Sequence, residues 1–264
     1  MERNRIAVLF FLVSLMATSC SKMDALFNNG EPVSEQRDVG HRFSVVSMFN
    51  NVNVRLVQSD HPRLELTCPK NLIEKVVTEV EGDTLFVKNT NDYNWLRSFD
   101  YSIDLTVYYD SLSAIHYASI GDLTCTDSIR GIGKLTIDSI EADFDTLWTH
   151  SFDLKINEGS GRLDLTFNCD VLKTNFNNGT SAVTLRGYSG YTEINMRSYG
   201  NVHAETLESN FVRVQSHSTN DAYVWAKSGL RVWIYSIGNV YYKGNPWVTD
   251  AYYGEGRIFK LEQK

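Results

Sequence analysis

Apolar and polar residues alternate along most of the chain, and in its second half the alternation recurs with a fixed period. A short stretch that is usually small or turn-forming opens each repeat, and its anchor positions recur at intervals of 18 to 21 residues, at Gly121, Ile140, Gly161, Ser181, Gly200, Asn220, Gly238 and Gly256. The residues two and four positions after these anchors are nearly all apolar, and those between them are mostly polar. A fixed period of this length predicts a solenoid, because a single repeat cannot bury its apolar face alone.

Each repeat also contains a second short strand, as in Leu154–Ile156 and Val212–Val214. A turn is predicted before the anchored strand, and another after it, at Arg186-Gly187, Ser228-Gly229 and Lys243–Pro246. Two strands and two turns in so short a repeat leave no room for a helix, so each strand must pair in parallel with its counterpart one repeat later. Residues 110–262 are therefore predicted to form the coils of an all-β parallel β-helix. Its inward ladder is expected to include Leu123, Leu163, Leu165, Val183, Leu185, Val202 and Val224.

Residues 41–109 alternate in the same way but without a fixed period. Runs such as Val52–Leu56 are typical of strands, and a helical turn is indicated only at Asn71–Lys75. We predict a strand-rich N-terminal section of the same domain, which then spans 41–262. Residues 20–40 are polar and lack periodicity, and they are predicted to be a flexible tether that follows the anchor.

The N-terminus has the pattern of a secretory signal peptide. Met1–Arg5 carry two arginines, Ile6–Met16 form an apolar run too short to span a bilayer, and small residues precede Cys20. A cysteine in this position resembles a bacterial lipoprotein box, in which Cys20 is acylated after residues 1–19 are removed. The alternative is an ordinary signal peptide whose removal leaves a soluble protein. We expect an exported lipoprotein of the cell envelope, held at the outer membrane.

Composition and charge narrow the possible partners. The 264 residues carry a formal net charge of −7 and no basic run, which argues against binding to nucleic acid or to an anionic membrane surface. Cys68, Cys125 and Cys169 remain after lipidation, with Cys125 on an inward position, and a disulfide among the three is left open. The sequence has no CxxC motif, no cysteine–histidine cluster and no histidine pair at metal-binding spacing. No metal or other cofactor is therefore predicted.

Several motifs resemble those of a known bacterial family. They are Phe43–Val45 followed by Val52–Val54, the run Gly82–Val87, the turn Glu158–Gly161 and, most specific, the closing Ser236–Pro246. Over most of the mature chain, these motifs resemble the putative auto-transporter adhesin family built on the head GIN domain. The resemblance implies a right-handed β-helical domain on exported, often lipid-anchored proteins. The family has no established catalytic residues, so the resemblance implies no catalytic site.

Aromatic residues concentrate in the C-terminal half and provide the candidate ligand-binding site. Tyr223 and Tyr241 fall on an outward ladder, and alternation places Trp233 and Tyr235 together on one side of their strand. Exposed aromatic rings offer apolar faces with polar edges, which suit sugar rings or a protein partner. The alternative is that these rings stack between coils and cover the open end of the solenoid.

Carboxylates concentrate in the first coils and provide an alternative site, at Asp122, Glu141, Asp143, Asp145 and Asp164. Such a cluster could hold Ca²⁺ or act as paired acids in sugar cleavage. A solvated acidic face is the more ordinary interpretation, because carboxylates without a neighbouring base are a weak signature of catalysis.

These observations favour a non-enzymatic binding module that presents an aromatic and polar face to glycans or proteins at the cell surface. Membrane attachment is expected through the lipid on Cys20 alone. Two alternatives remain open: a polysaccharide-acting enzyme that uses the acidic coils, and a structural envelope protein without a specific ligand. A cleft flanked by a basic residue would favour the enzyme, and a flat exposed aromatic strip would favour binding.

Overall fold

The computed structural model describes residues 28–92, 101–125, 129–137 and 142–262, with the backbone alone for 142–145. The predicted signal peptide and Cys20 lie outside these residues. Helix is limited in this part of the chain to one 3-10 turn, Ile73–Lys75, and no helix there is long and apolar enough to cross a bilayer. The strands wind into a solenoid of about 7 turns with stacked parallel coils. The predicted all-β parallel solenoid is confirmed.

The strands follow one another through short connections. The N-terminal section contains β1 (Pro32–Arg37), β2 (Val45–Asn50), β3 (Asn53–Gln58), β4 (Arg63–Pro69), β5 (Val76–Glu81), β6 (Thr84–Asn89) and β7 (Asp104–Tyr109). The coils contain β8 (Ala114–Ser119), β9 (Leu123–Cys125), β10 (Ile129–Arg130), β11 (Lys134–Ile137), β12 (Ala142–Ile156), β13 (Arg162–Phe176), β14 (Ala182–Met196), β15 (Val202–Ser216), β16 (Ala222–Ile234), β17 (Val240–Lys243), β18 (Trp247–Tyr252) and β19 (Ile258–Lys260). From β12 to β16, one long strand makes up most of each coil.

Equivalent residues of successive coils face one another in parallel register. Leu163 of β13 pairs with Val183 of β14, which pairs with Val202 of β15 and then with Ala222 of β16. All residues of the predicted inward ladder are at most 2 % exposed, which confirms their inward orientation. Each apolar row packs against the rows above and below it, and burial of this kind contributes roughly 25 cal/mol per Å² of apolar surface.

Two of the turns predicted after the anchored strand are corners inside continuous strands. β14 runs through Arg186-Gly187 and β16 runs through Ser228-Gly229, so the prediction of a turn is wrong at both places. Gly187 bends its strand with φ +96° and lies against the backbone of Phe167, whose carbonyl oxygen would be 2.1 Å from an added Cβ. A corner of this kind preserves backbone pairing with the neighbouring coil. At Lys243–Pro246 the chain does turn, between β17 and β18.

Parallel pairing begins earlier in the chain than residue 110. β2 pairs in parallel with β8, and β3 pairs in parallel with β9, so β2 and β3 form a coil next to the repeats. β6 and β7 extend the same two parallel pairings. Antiparallel partners complete this end, because β5 pairs with β6 and β4 lies between β7 and β1. The strand-rich N-terminal section is thus continuous with the solenoid and covers its N-terminal end.

The prediction of a flexible tether over residues 20–40 is wrong for Pro32–Arg37. These residues form β1, which pairs antiparallel with β4. Val33 packs on the core, and the Arg37 guanidinium donates hydrogen bonds to the carbonyls of Val76 and Ile73, the latter at 2.9 Å. Backbone pairing and one arginine therefore hold β1 in place. Because β1 lacks apolar alternation, hydrophobic periodicity did not reveal it.

Cys68, Cys125 and Cys169 are buried, and no disulfide joins the three. Cys125 is 5 % exposed, as its inward position predicted. Burial raises the pKa of the Cys68 and Cys169 thiols to about 11, which keeps both protonated at neutral pH. All three act as small apolar side chains of the core.

Candidate ligand-binding face

The outward positions in the last parts of β14, β15 and β16, together with those of β18, form an exposed surface that we call the aromatic face. In parallel register it comprises the rows Tyr191–Phe211–Gly229–Trp247, Glu193–Arg213–Arg231–Thr249 and Asn195–Gln215–Trp233–Ala251. Residues that alternate with them, such as Val212 and Val232, are buried. Successive side chains of a strand point to opposite sides, so the residues that alternate with the buried ones point outward.

A groove of about 490 Å³ crosses this face over Gly229. The rings of Phe211 and Trp247, on the two neighbouring coils, meet above this glycine with their centroids 6.4 Å apart. A Cβ at Gly229 would lie 2.6 Å from the Trp247 ring and 2.8 Å from the Phe211 ring, so the missing side chain makes room for this pair. The groove is lined by Tyr191, Phe211, Val212, Arg213, Gly229, Arg231, Trp233 and Trp247.

Two arginines place positive charge beside the tryptophans of the groove. The Arg213 guanidinium lies over the Trp233 ring, 5.1 Å from its centroid, and that of Arg231 lies 5.4 Å from the centroid of Trp247. Arg213 is 3.4 Å from a carboxylate oxygen of Glu193, while its Nε atom is buried without a hydrogen-bond partner. Arg231 is exposed, and no carboxylate among the described residues lies within salt-bridge distance of it. The groove therefore offers cationic donors next to aromatic rings.

A second, polar depression of about 330 Å³ lies further along the same strands. Its lining consists of Asn175, Asn177, Asn195, Met196, Arg197, Gln215 and His217. The Asn195 amide donates a hydrogen bond to Oδ1 of Asn175 at 3.1 Å, while Oδ1 of Asn195 is itself buried without a partner. Amide groups both donate and accept hydrogen bonds, which suits a ligand rich in hydroxyl groups.

Trp233 lies on this face near the end of β16, and Tyr235 directly follows the strand, with the buried Ile234 between them. Trp233 lines the groove. Tyr235 is 39 % exposed and stacks between His217 and Tyr253, with ring centroids 4.2 and 4.8 Å away. Its ring faces are therefore occupied by neighbouring coils, whereas its edge remains outward.

Tyr223 and Tyr241 lie on a different surface, at the anchored strands, and the structure does not bring them to the groove. They form the centre of a stack that runs His203–Tyr223–Tyr241–Phe259, with centroid separations of 4.9, 4.9 and 5.3 Å. Burial, followed by the nearby Asp221, Tyr241 and Glu205, raises the pKa of the Tyr223 hydroxyl. Both faces of each tyrosine ring are covered by the stack. The ligand-binding role predicted for this pair stays untested and is an alternative to a site on the aromatic face.

Sequence reasoning missed most of the groove, including Arg213, Arg231, Phe211, Trp247 and Gly229. A signal was present, because 18 residues separate Arg213 from Arg231 and Gly229 from Trp247, which matches the last two repeat intervals. Those positions lie outside the anchored strands, in the part of each repeat whose register with the next repeat is less evident from the sequence. The interpretation of Ser228-Gly229 as a turn also concealed that this glycine lies within a strand, beneath the rings of Phe211 and Trp247.

The predicted acidic cluster is described only in part. Glu141 lies outside the described residues, and the side chains of Asp143 and Asp145 are not described. Asp122 is exposed, and its backbone N–H donates a hydrogen bond to Oδ1 of Asn53 at 3.0 Å. Among the described residues, no group of three or more His, Cys, Asp or Glu side chains is placed to hold a metal ion.

Asp164, the best-defined member of that cluster, is engaged by two arginines. Its carboxylate lies 2.8 Å from Arg162 and 3.1 Å from Arg186. Burial alone would raise the pKa of Asp164, but the Thr184 hydroxyl and the two guanidinium groups outweigh it and hold the pKa below its usual value. A general acid for sugar cleavage needs a raised pKa, so Asp164 is poorly suited to that role.

The fold and the aromatic face define the class of the protein: a β-solenoid that presents an open surface rather than an enclosed site. The family model described as putative auto-transporter adhesin, head GIN domain, matches residues 42–246. The chain belongs to this family, and the resemblance carried by its motifs is confirmed. Membership indicates an adhesion-like protein of the envelope or the extracellular space.

Solved structures with this fold share little sequence with the chain. A putative adhesin from Bacteroides fragilis is 20 % identical with a TM-score of 0.62, and the match covers 89 % of this chain and 100 % of that one. A putative adhesin from Parabacteroides distasonis is 18 % identical with a TM-score of 0.76, over 89 % and 99 % of the two chains. A putative lipid binding protein from the same species is 19 % identical with a TM-score of 0.66, over 89 % and 99 %. No curated protein matches the chain. At these identities the solved structures support the fold alone.

Proposed function

We propose that the chain is a non-enzymatic binding module of the bacterial cell envelope, and that its aromatic face binds a glycan chain. The observation that carries this proposal is the groove over Gly229, which combines the exposed Trp247 and the half-buried Trp233 with arginines and a neighbouring row of amides on one surface. Tryptophan rings supply large apolar contact area at little entropic cost, and amides satisfy sugar hydroxyls. A protein partner is the alternative occupant, which the experiment below distinguishes.

The groove is suited to binding rather than to sugar cleavage. Hydrolysis of glycosides generally uses two carboxyl groups on either side of the scissile bond. The described residues that line the groove include none, and Glu193 beside it is paired with Arg213. The arginines there therefore have a ligand-binding role in this proposal.

The position of the aromatic face supports display away from a membrane. In this proposal a lipid on Cys20 holds the exported chain at the outer membrane, and β1 joins the N-terminal end of the solenoid. The aromatic face lies at the opposite end, on β14 to β18. Parallel strands stack about 4.8 Å apart, so each coil between β1 and the face adds that distance to their separation.

The test is a glycan and host-matrix protein array probed with the detergent-solubilised full chain. A double variant, Trp233→Ala with Trp247→Ala, should lose binding to the glycan hits, since truncation of aromatic anchors costs roughly 2 kcal/mol or more at hot spots. Trp148→Ala is the matched control, because Trp148 is a 41 % exposed tryptophan outside the aromatic face.

The pair Tyr223→Ala with Tyr241→Ala separates the two aromatic surfaces. We expect this variant to bind the glycan hits as the wild type does. Array hits confined to proteins would contradict the proposed site. So would the opposite pattern for glycans, in which the double tyrosine variant loses binding and the double tryptophan variant keeps it.

A further inference from the structure

We infer that the groove over Gly229 selects a carboxylate-bearing sugar residue of an acidic glycan. This inference rests on the proposed function and names the class of its ligand. It follows from the side chains that converge there: two guanidinium groups, two indole rings and no lining carboxylate in the part of the chain that the structure describes.

The charges of the groove call for an anion. Arg231 is exposed, without an acidic partner among the described residues, and Arg213 keeps its Nε atom buried and unbonded although Glu193 lies near its Nη1. A guanidinium group presents its donors in a planar fork that matches a carboxylate with two parallel hydrogen bonds. The chain as a whole has a net charge of −7, so this cationic site is a local feature and not part of a basic surface.

The tryptophans require that the anion also carry an apolar ring face. Trp233 and Trp247 each lie within 5.4 Å of an arginine guanidinium, measured to the ring centroid. A uronic acid unit offers both elements together, because its pyranose ring has an apolar C–H face and its carboxylate is attached directly to that ring. The adjacent amides of Asn195 and Gln215 would receive the hydroxyls of the next sugar along the chain.

A phospholipid headgroup shares the anionic chemistry but fits the site less well. Its phosphate has no ring for the tryptophans, and a lipid taken out of the membrane would need an enclosed apolar cavity for its acyl chains. The groove is instead open to solvent and continues into a polar depression. Phosphatidylglycerol vesicles therefore serve as a competing arm of the test.

The experiment is calorimetric titration of the full chain in detergent with uronate oligosaccharides containing galacturonate, glucuronate or mannuronate, and with their carboxyl-reduced, neutral forms. We expect at least one uronate to bind ten or more times tighter than its reduced form. Arg231→Gln should abolish this difference, so that the variant binds the uronate and its carboxyl-reduced form with equal affinity. Arg130→Gln is the matched control, because Arg130 also lies over an exposed tryptophan, 5.8 Å from the ring centroid of Trp148, but away from the groove.

The outcomes separate this inference from the proposed function. Equal binding of acidic and neutral sugars, both lost in the Trp233→Ala, Trp247→Ala variant, would overturn the inference and leave the glycan-binding function standing. Binding to phosphatidylglycerol vesicles without binding to uronates would overturn the inference in favour of a lipid. Failure of the wild type to bind any saccharide in the array would overturn both.

Discussion

At the scale of single residues, the shape of the aromatic face depends on a glycine, whose missing side chain leaves room for two aromatic rings. Gly229 lies under the contact between Phe211 and Trp247, whereas Gly187 sits at a corner against the backbone of the preceding coil. The first glycine faces flexible rings at the surface, and the second faces a carbonyl that cannot move. We therefore expect the same substitution to have different consequences at the two positions.

Gly229→Ala should weaken ligand binding with little loss of stability. The added Cβ would approach Trp247 to 2.6 Å and Phe211 to 2.8 Å, so both rings must move apart. Because these rings are 48 % and 45 % exposed, they can move at a cost of about 1 kcal/mol or less. Urea denaturation and titration with a glycan hit measure the two effects separately.

Gly187→Ala is the comparison variant, and it should destabilise the fold. Its Cβ would lie 2.1 Å from the Phe167 carbonyl oxygen, at a backbone φ of +96° that an alanine rarely adopts. Strain of this kind costs about 1–3 kcal/mol. Unchanged binding in Gly229→Ala, or a larger loss of stability there than in Gly187→Ala, would contradict this account of the groove.

At the scale of the strand, burial follows the alternation that the sequence displays. Leu165 lies at an inward position with no measurable exposure, and its neighbour Thr166 lies outward and half-buried opposite Arg186. A charge at the first position has no partner in the core, whereas a charge at the second can reach solvent and a guanidinium group.

Leu165→Asp should therefore prevent folding, with a cost of several kcal/mol for a buried, unpaired charge. Thr166→Asp should fold like the wild type. Circular dichroism and thermal melting of the two purified variants provide the measurement. A cooperative melt of Leu165→Asp near the wild-type temperature would show that this position is not part of the core.

The anchored strands could be predicted from sequence and the aromatic face could not, for physical reasons. Leu163 and Val183 recur at a period fixed by coil length, and burial requires them to be apolar. Outward positions carry no such requirement, so Arg231 and Trp247 become neighbours only once the register of β16 and β18 is known. β1 escaped prediction because its stability comes from backbone pairing rather than from apolar alternation.

At the scale of the whole molecule, the last coil differs from those before it in its inward positions. Asp250 is in register with the buried Val232, and Lys260 is in register with Tyr242, the continuation of the inward row of Val224. Charged residues at inward positions of an edge strand discourage pairing with another sheet. We interpret these two residues as a cap on the C-terminal end of the solenoid.

Asp250→Val with Lys260→Leu should make the protein self-associate end to end, because the change extends the apolar rows to an open edge. Sedimentation velocity at matched concentrations measures the effect. Asp250→Asn with Lys260→Gln, which keeps both positions polar, should sediment like the wild type. Identical sedimentation of the apolar variant and the wild type would refute the capping role.

The central claim, that the aromatic face is where a glycan binds, is tested most directly by fluorine NMR of the chain labelled with 5-fluorotryptophan. The sequence has 5 tryptophans, and single substitutions assign their resonances. Saturation with the tightest glycan hit should shift the signals of Trp233 and Trp247 and leave those of Trp148 and Trp225 in place. Trp225 lies two residues from Tyr223 on the outward side of the same strand, so it reports on the tyrosine stack. A shift at Trp225 with unchanged signals from Trp233 and Trp247 would contradict the account and move the site to Tyr223 and Tyr241.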